Sequence, residues 1–187
     1  MSVDEGNPMT ARYVLTGAPG SGKTSLLHAL GRRGWDVVPE AATDVIAREQ
    51  AAGRDEPWLC PDFTAWIVDL QRERQLRAVV APVQFYDRSP LCTLALARFL
   101  GHPVTPALRR EVERVARERV YERDVFLVRP LGFVKATAAR RITEQDAAAF
   151  EAVHETVYRE HGYHLIDIAP ASISTRADTV ETHIRTT

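Results

Sequence analysis

Short apolar runs alternate along this chain with longer stretches in which apolar residues recur at helical spacing. The runs are Arg12–Thr16, Trp35–Val38, Val83–Tyr86, Val125–Val128 and His164–Ile168. They are nearly continuous in apolar character rather than alternating, as in strands covered on both faces of a parallel sheet. Between them lie helical stretches: Ser25 to Leu30, stopped by Gly31–Gly34, and Glu40 to Ala52, ended by Gly53. Asp62 stands as N-cap of a long helix through Val80 that carries Phe63, Trp66, Ile67, Leu70 and Leu76. Leu91–Leu100, Ala107–Val120, Glu144–Glu160 and Ser172–Ile184 complete the set. Strands alternating with helices of ten or more residues predict an α/β domain built on a five-stranded parallel sheet.

One junction has a specific chemistry. Gly17-Ala18-Pro19-Gly20-Ser21-Gly22-Lys23-Thr24 is a complete G-x-x-x-x-G-K-[ST] pattern, preceded by a strand and followed by a helix that opens with Ser25. Its glycines let backbone N–H groups converge on an anion, and the helix N-terminus adds positive potential. Gly17, Ala18, Pro19, Gly20, Ser21, Gly22, Lys23, Thr24 and Ser25 form the expected ATP cradle. Lys23 is expected on the β- and γ-phosphates and Thr24 on Mg²⁺. A chance match has odds on the order of 1% at average residue usage. Moreover, the chain has only two lysines, Lys23 and Lys135, among 24 basic residues.

In open α/β sheets ligands bind beyond the carboxyl ends of the strands. The second strand delivers Glu40 there, and the third delivers Asp87 and Arg88. Asp87 has the placement of a Walker-B carboxylate, hence a second metal candidate beside Thr24. Glu40 is a candidate general base, although a carboxylate placed only to suit its helix dipole is the competing account. The base role stays open between Glu40 and Asp87. Arg88 suits planar bidentate contact with phosphate. Residues 129–143 lack a period and are expected to form a lid, with Arg140 and Arg141 catalytic on closure. Trp58, Phe63 and Trp66 read as core, and His154, His161 and His164 as structural or surface residues without metal-ligand spacing.

Composition narrows the partners. Across 187 residues the net charge is −1, with 45% hydrophobic and 26% charged residues. Nothing in that balance favours nucleic acid or a membrane. No apolar run is long enough to span a bilayer, and residues 1–10 read as a flexible leader without a signal-peptide core. Residues 11–187 are expected to form one domain. Cys60 and Cys92 lack disulfide or metal spacing, which points to the cytoplasm. Self-association into a homodimer is left open.

Three segments together resemble a known family: Leu15–Leu27, Val38-Pro39-Glu40-Ala41-Ala42 and Tyr86-Asp87-Arg88-Ser89. They resemble the small AAA-domain P-loop family related to the ribosylnicotinamide-kinase domain of the NAD-biosynthesis regulator. The likeness extends to Phe150–Glu160 and Gly162–Leu165. It implies a three-layer P-loop NTPase fold of nucleoside- and nucleotide-kinase type, with ATP and Mg²⁺ as cofactors and a small-molecule acceptor. By the same resemblance Glu40 is the hydroxyl-activating base and Arg88 the phosphate contact. Asp87 departs from the Glu of deoxynucleoside kinases, which leaves the acceptor open between a hydroxyl and a phosphate. The competing function is a regulatory ATPase switch without an acceptor. A GTPase is disfavoured because neither lysine is followed two residues later by Asp.

Overall fold

The computed structural model describes residues 10–131 and 144–186, with only the backbone of Glu144. The strands are β1 (Ala11–Thr16), β2 (Asp36–Val38), β3 (Val83–Asp87), β4 (Asp124–Val128) and β5 (His164–Ile168). The helices are α1 (Lys23–Arg32), α2 (Ala41–Ala51), α3 (Phe63–Arg77), α4 (Pro90–Leu100), α5 (Pro106–Arg117), α6 (Glu144–Glu160) and α7 (Ile173–Thr186). All strand pairs are parallel, in the order β2-β3-β1-β4-β5.

The apolar runs are explained by burial on both faces. Along β1, Tyr13 and Leu15 pack with α1 and α7 residues such as Leu26, Leu30, Ala177 and Val180. Val14, between them, packs on the opposite face with Leu91, Leu108, Val115 and Tyr158 from α4, α5 and α6. Successive strand side chains point to opposite faces, so a strand with helices on both sides has no position for a solvated residue. A third cluster joins Ala41 and Val45 of α2 to Phe63 and Ile67 of α3, with Trp58 and Trp66 packed against it.

The strand order creates the crevice. The chain leaves β1 for the sheet edge at β2, returns to β3 beside β1, then crosses to β4. Connections from the neighbours β1 and β3 therefore depart in opposite directions, and a crevice opens between the segments that leave their paired carboxyl ends.

Helix ends follow local chemistry. Thr105 Oγ1 accepts the Leu108 N–H at 3.2 Å, with Pro106 in the first turn of α5. By contrast, α3 stops at Arg77, three residues before the periodicity of the sequence runs out. Ala78 is extended, and Val79 and Val80 are exposed. The chain must reverse here to enter β3, and Ala81 precedes a proline, which disfavours helical backbone. The exposed valines belong to the connection between α3 and β3, where the Gln84 amide donates to the Val79 carbonyl. Among the described residues no helix is long and apolar enough to cross a membrane.

Gly17 has no side-chain alternative. Its φ is +131°, and a Cβ there would lie 2.6 Å from the Val128 carbonyl oxygen. Gly17→Ala is expected to lower stability by about 2–3 kcal/mol. Gly53, with φ +86° and open space around it, isolates the backbone cost: Gly53→Ala should lose only about 1–2 kcal/mol. Urea unfolding of the pair checks the difference.

Candidate functional site

The loop between β1 and α1 curls because Gly17, Gly20 and Gly22 all take positive φ. The amine of Lys23 turns back into this curl and donates to Gly17 O at 3.0 Å, Ala18 O at 2.7 Å and Ser21 Oγ at 3.3 Å. Lys23 is buried with no carboxylate among these partners. Burial first, and the nearby Arg88 charge second, depress its pKa to about 7 against the pull of Asp87 and Glu40.

A second buried cation braces the loop from outside. Arg176 of α7 donates from Nη1 to Ser21 O at 2.7 Å, from Nη2 to Arg129 O at 2.8 Å and from Nε to Ala169 O at 3.1 Å. One guanidinium thus ties the phosphate loop to the ends of β4 and β5. Sequence patterning places Arg176 only as one more residue of a terminal helix. Its role depends on contacts 155 residues apart.

At the carboxyl end of β3, Asp87 Oδ2 accepts the Thr24 hydroxyl at 2.9 Å. Its other oxygen, Oδ1, is buried without a hydrogen-bond partner. Burial, with a contribution from Glu40, raises the Asp87 pKa despite Arg88, Lys23 and Thr24. An undercompensated carboxylate with an orphaned oxygen, beside a hydroxyl, is an oxygen donor set of the kind Mg²⁺ takes. These residues fit a Mg²⁺ ion.

Arg88 follows Asp87 and is in the left-handed region at φ +76°, although it is not glycine. Its N–H bonds Leu15 O at 3.1 Å, which ties this strained residue to β1. From there its side chain reaches Glu40, with Nε donating to Oε1 at 2.5 Å. Glu40 is the N-cap residue of α2, and its Oε2 accepts the Thr43 hydroxyl at 2.8 Å. Burial pushes the Glu40 pKa up, but Arg88, Thr43 and Lys23 together hold it below the ordinary value. Arg74 of α3 fixes the backbone here, donating to Pro39 O at 2.9 Å and Glu40 O at 2.7 Å while pairing with Asp44. Gln71, Arg74, Asp87, Arg88 and Tyr121 line a cavity of about 10 Å³, room for one water.

The structure therefore brings Lys23, Thr24, Glu40, Asp87 and Arg88 to one end of the sheet. Arg140 and Arg141, and most of the expected lid at 129–143, lie outside the described residues. Arg129 itself pairs with Glu151, Glu155 and Asp167. His154, grouped in the sequence with surface or structural histidines, is fully buried and meets Arg88 Nη1 through Nε2 at 3.2 Å. No spacing rule reveals this contact, because α6 and the end of β3 are brought together only by packing.

The depressed Lys23 pKa has a definite linkage sign. The unfolded chain binds a proton to this lysine up to its ordinary pKa of 10.5, and the folded one releases it near 7. Burying the charge costs most stability below pH 7, and the cost disappears as pH rises toward 10.5. Relative to Lys23→Met, the nucleotide-free protein should gain stability between about pH 7 and 10, by at most about 1.4 kcal/mol per pH unit. Denaturant titrations of both proteins across that range check the slope.

Comparison with known structures agrees with this architecture. NadR protein in complex with NR superposes with a TM-score of 0.70 at 18% identity, over 94% of this chain. The chain spans 50% of that NadR chain. Deoxyadenosine kinase from M. mycoides matches with a TM-score of 0.65 at 11% identity, covering 94% of this chain and 100% of that one. Shikimate kinase from Acinetobacter baumannii in complex with shikimate gives 0.62 at 14% identity, covering 96% and 95%. At such identities the likeness concerns the fold, which is that of the P-loop kinases. Among curated proteins no match is found. A family model described as AAA domain matches residues 12–176, from β1 and the phosphate loop to Arg176. The chain belongs to that AAA-domain family.

Proposed function

We propose that this protein is an ATP-dependent phosphotransferase that moves the γ-phosphoryl group of MgATP to a hydroxyl of a small molecule, a nucleoside or a related metabolite. The observation that carries this reading is the Glu40–Arg88 pair across the crevice from Thr24 and Asp87. A hydrolytic switch needs the phosphate loop and the metal carboxylate. It has no need for a half-buried carboxylate held by an arginine.

In this reading Lys23 exchanges its loop carbonyls for phosphate oxygens, which restores a charge partner to the buried amine. Thr24 and Asp87 hold Mg²⁺, which supplies neutralisation of the phosphate charge. Arg88 orients Glu40 and faces the charge that develops on the transferred group. Glu40 accepts the hydrogen bond of the attacking hydroxyl. Its low basicity is no obstacle, since phosphoryl transfer relies on positioning more than on proton abstraction. A hydroxyl acceptor is favoured over a phosphate because, among the described residues, Arg74 and Arg88 are already paired with Asp44 and Glu40. The deoxyadenosine and shikimate kinases of similar fold support an acceptor of this size. ATP as donor and the free thiols Cys60 and Cys92 suit the cytoplasm.

One observation favours a second reading, a nucleotide-binding ATPase without an acceptor: the cavity beside Arg88 has room for only a water. An acceptor screen separates the two. ATP consumption is followed with nucleosides, nucleotides and aminoglycoside-like polyols, and turnover should rise with a hydroxyl compound. Glu40→Gln should then cost about 100-fold or more in turnover with ADP affinity retained. Turnover equal with and without every acceptor, and unaffected by Glu40→Gln, would falsify the kinase reading.

A further inference from the structure

Among the described residues His154 makes two polar contacts, and together they specify its proton. Nδ1 lies 2.8 Å from the carbonyl oxygen of Phe150 one turn earlier in α6. A carbonyl only accepts, so Nδ1 carries the hydrogen. Nε2 lies 3.2 Å from Arg88 Nη1. A guanidinium only donates, so Nε2 must present a lone pair. The ring is therefore the neutral Nδ1–H tautomer on geometry alone.

The surroundings agree. His154 is fully buried, with the Phe150 ring against it at 4.3 Å between centroids. The charged groups that act on it are Arg88 from the end of β3, Lys23 from α1 and Glu151 from its own helix. Burial first, then Arg88, lower its pKa to about 3.

We propose that His154 is a positioning residue which, as a neutral imidazole, locks the Arg88 guanidinium against Glu40 without adding a charge of its own. Arg88 begins from a strained left-handed backbone and must keep a long side chain in one orientation. Glu40 holds Nε and His154 holds Nη1, and two fixed nitrogens fix the plane of the fork. A carboxylate in place of His154 would compete with Glu40 for the arginine, and an imidazolium would repel it. A neutral acceptor orients the arginine and adds no charge to the Arg88–Glu40 pair.

The rate arm of the test rests on the phosphotransferase reading, and the spectroscopic arm does not. Long-range ¹H–¹⁵N correlation spectra of the nucleotide-free protein should show His154 as the Nδ1–H tautomer throughout about pH 5–8. Its Nε2 resonance should move in Arg88→Met. An Nε2–H tautomer, an imidazolium in that range, or an unmoved resonance overturns the proposal. For rates, His154→Leu should lower MgATP turnover about 10- to 100-fold with ADP affinity unchanged. His154→Gln, whose amide oxygen can reach the Nε2 position, should recover most of that loss. The effect should vanish in an Arg88→Met background, because the histidine acts through the arginine. Equal losses for Leu and Gln, or additivity with Arg88→Met, overturn the positioning role. If no acceptor is found the kinase reading fails by itself, while the tautomer and the coupling in acceptor-free turnover still decide the role of His154.

Discussion

Charge buried without an opposite charge in contact governs the carboxyl end of this sheet. Among the described residues, Lys23 and Arg176 both sit inside the fold with backbone carbonyls and a hydroxyl as their hydrogen-bond partners. Carbonyl dipoles can solvate a cation but do not cancel it, so the site retains positive potential. Asp87 is the converse case, a carboxylate with one buried oxygen unmet. Such groups cost stability in the free protein, and a polyanion arriving with a divalent cation would relieve both imbalances together. The same imbalance explains why Lys23 loses basicity while Asp87 gains it.

The other half of the crevice is built on the opposite rule. Arg88 and Glu40 pair directly, Arg74 pairs with Asp44, and the hydrogen bonds of Thr43 and His154 complete the set. Charge here is compensated and geometry is what remains to be controlled. Under the proposed phosphotransferase reading, a half that wants charge and a half that supplies orientation would divide the labour a phosphoryl transfer requires. The strain at Arg88 is tolerated because β1, Glu40 and His154 hold the residue from three directions.

The helices on the two faces have unequal roles at this site. From one face, α1 supplies Lys23 and Thr24, and α7 supplies Arg176, which clamps the loop from outside. From the other, α6 supplies His154, and α3 supplies Arg74. The phosphate loop, the backbone of Glu40 and the side chain of Arg88 are thus each braced by a residue distant in sequence, and that bracing depends on the core beneath it.

Much of this was legible in the residues. The five strands follow from apolar runs, the phosphate loop from its glycines and lysine, and Glu40, Asp87 and Arg88 from their places at strand ends. These features are local: period, turn chemistry and motif spacing all act within about a dozen residues. The order β2-β3-β1-β4-β5, the early stop of α3, the orphaned oxygen of Asp87 and the braces from His154, Arg74 and Arg176 were not. Each depends on which surfaces pack together. A buried histidine or arginine looks in the sequence like any other polar residue on a helix, until the fold decides what stands opposite. The chain by itself determined that a glycine-rich loop of phosphate-loop pattern would form at the end of a strand. Only the tertiary structure decided how the charges facing that loop are compensated, because compensation is set by distance and burial.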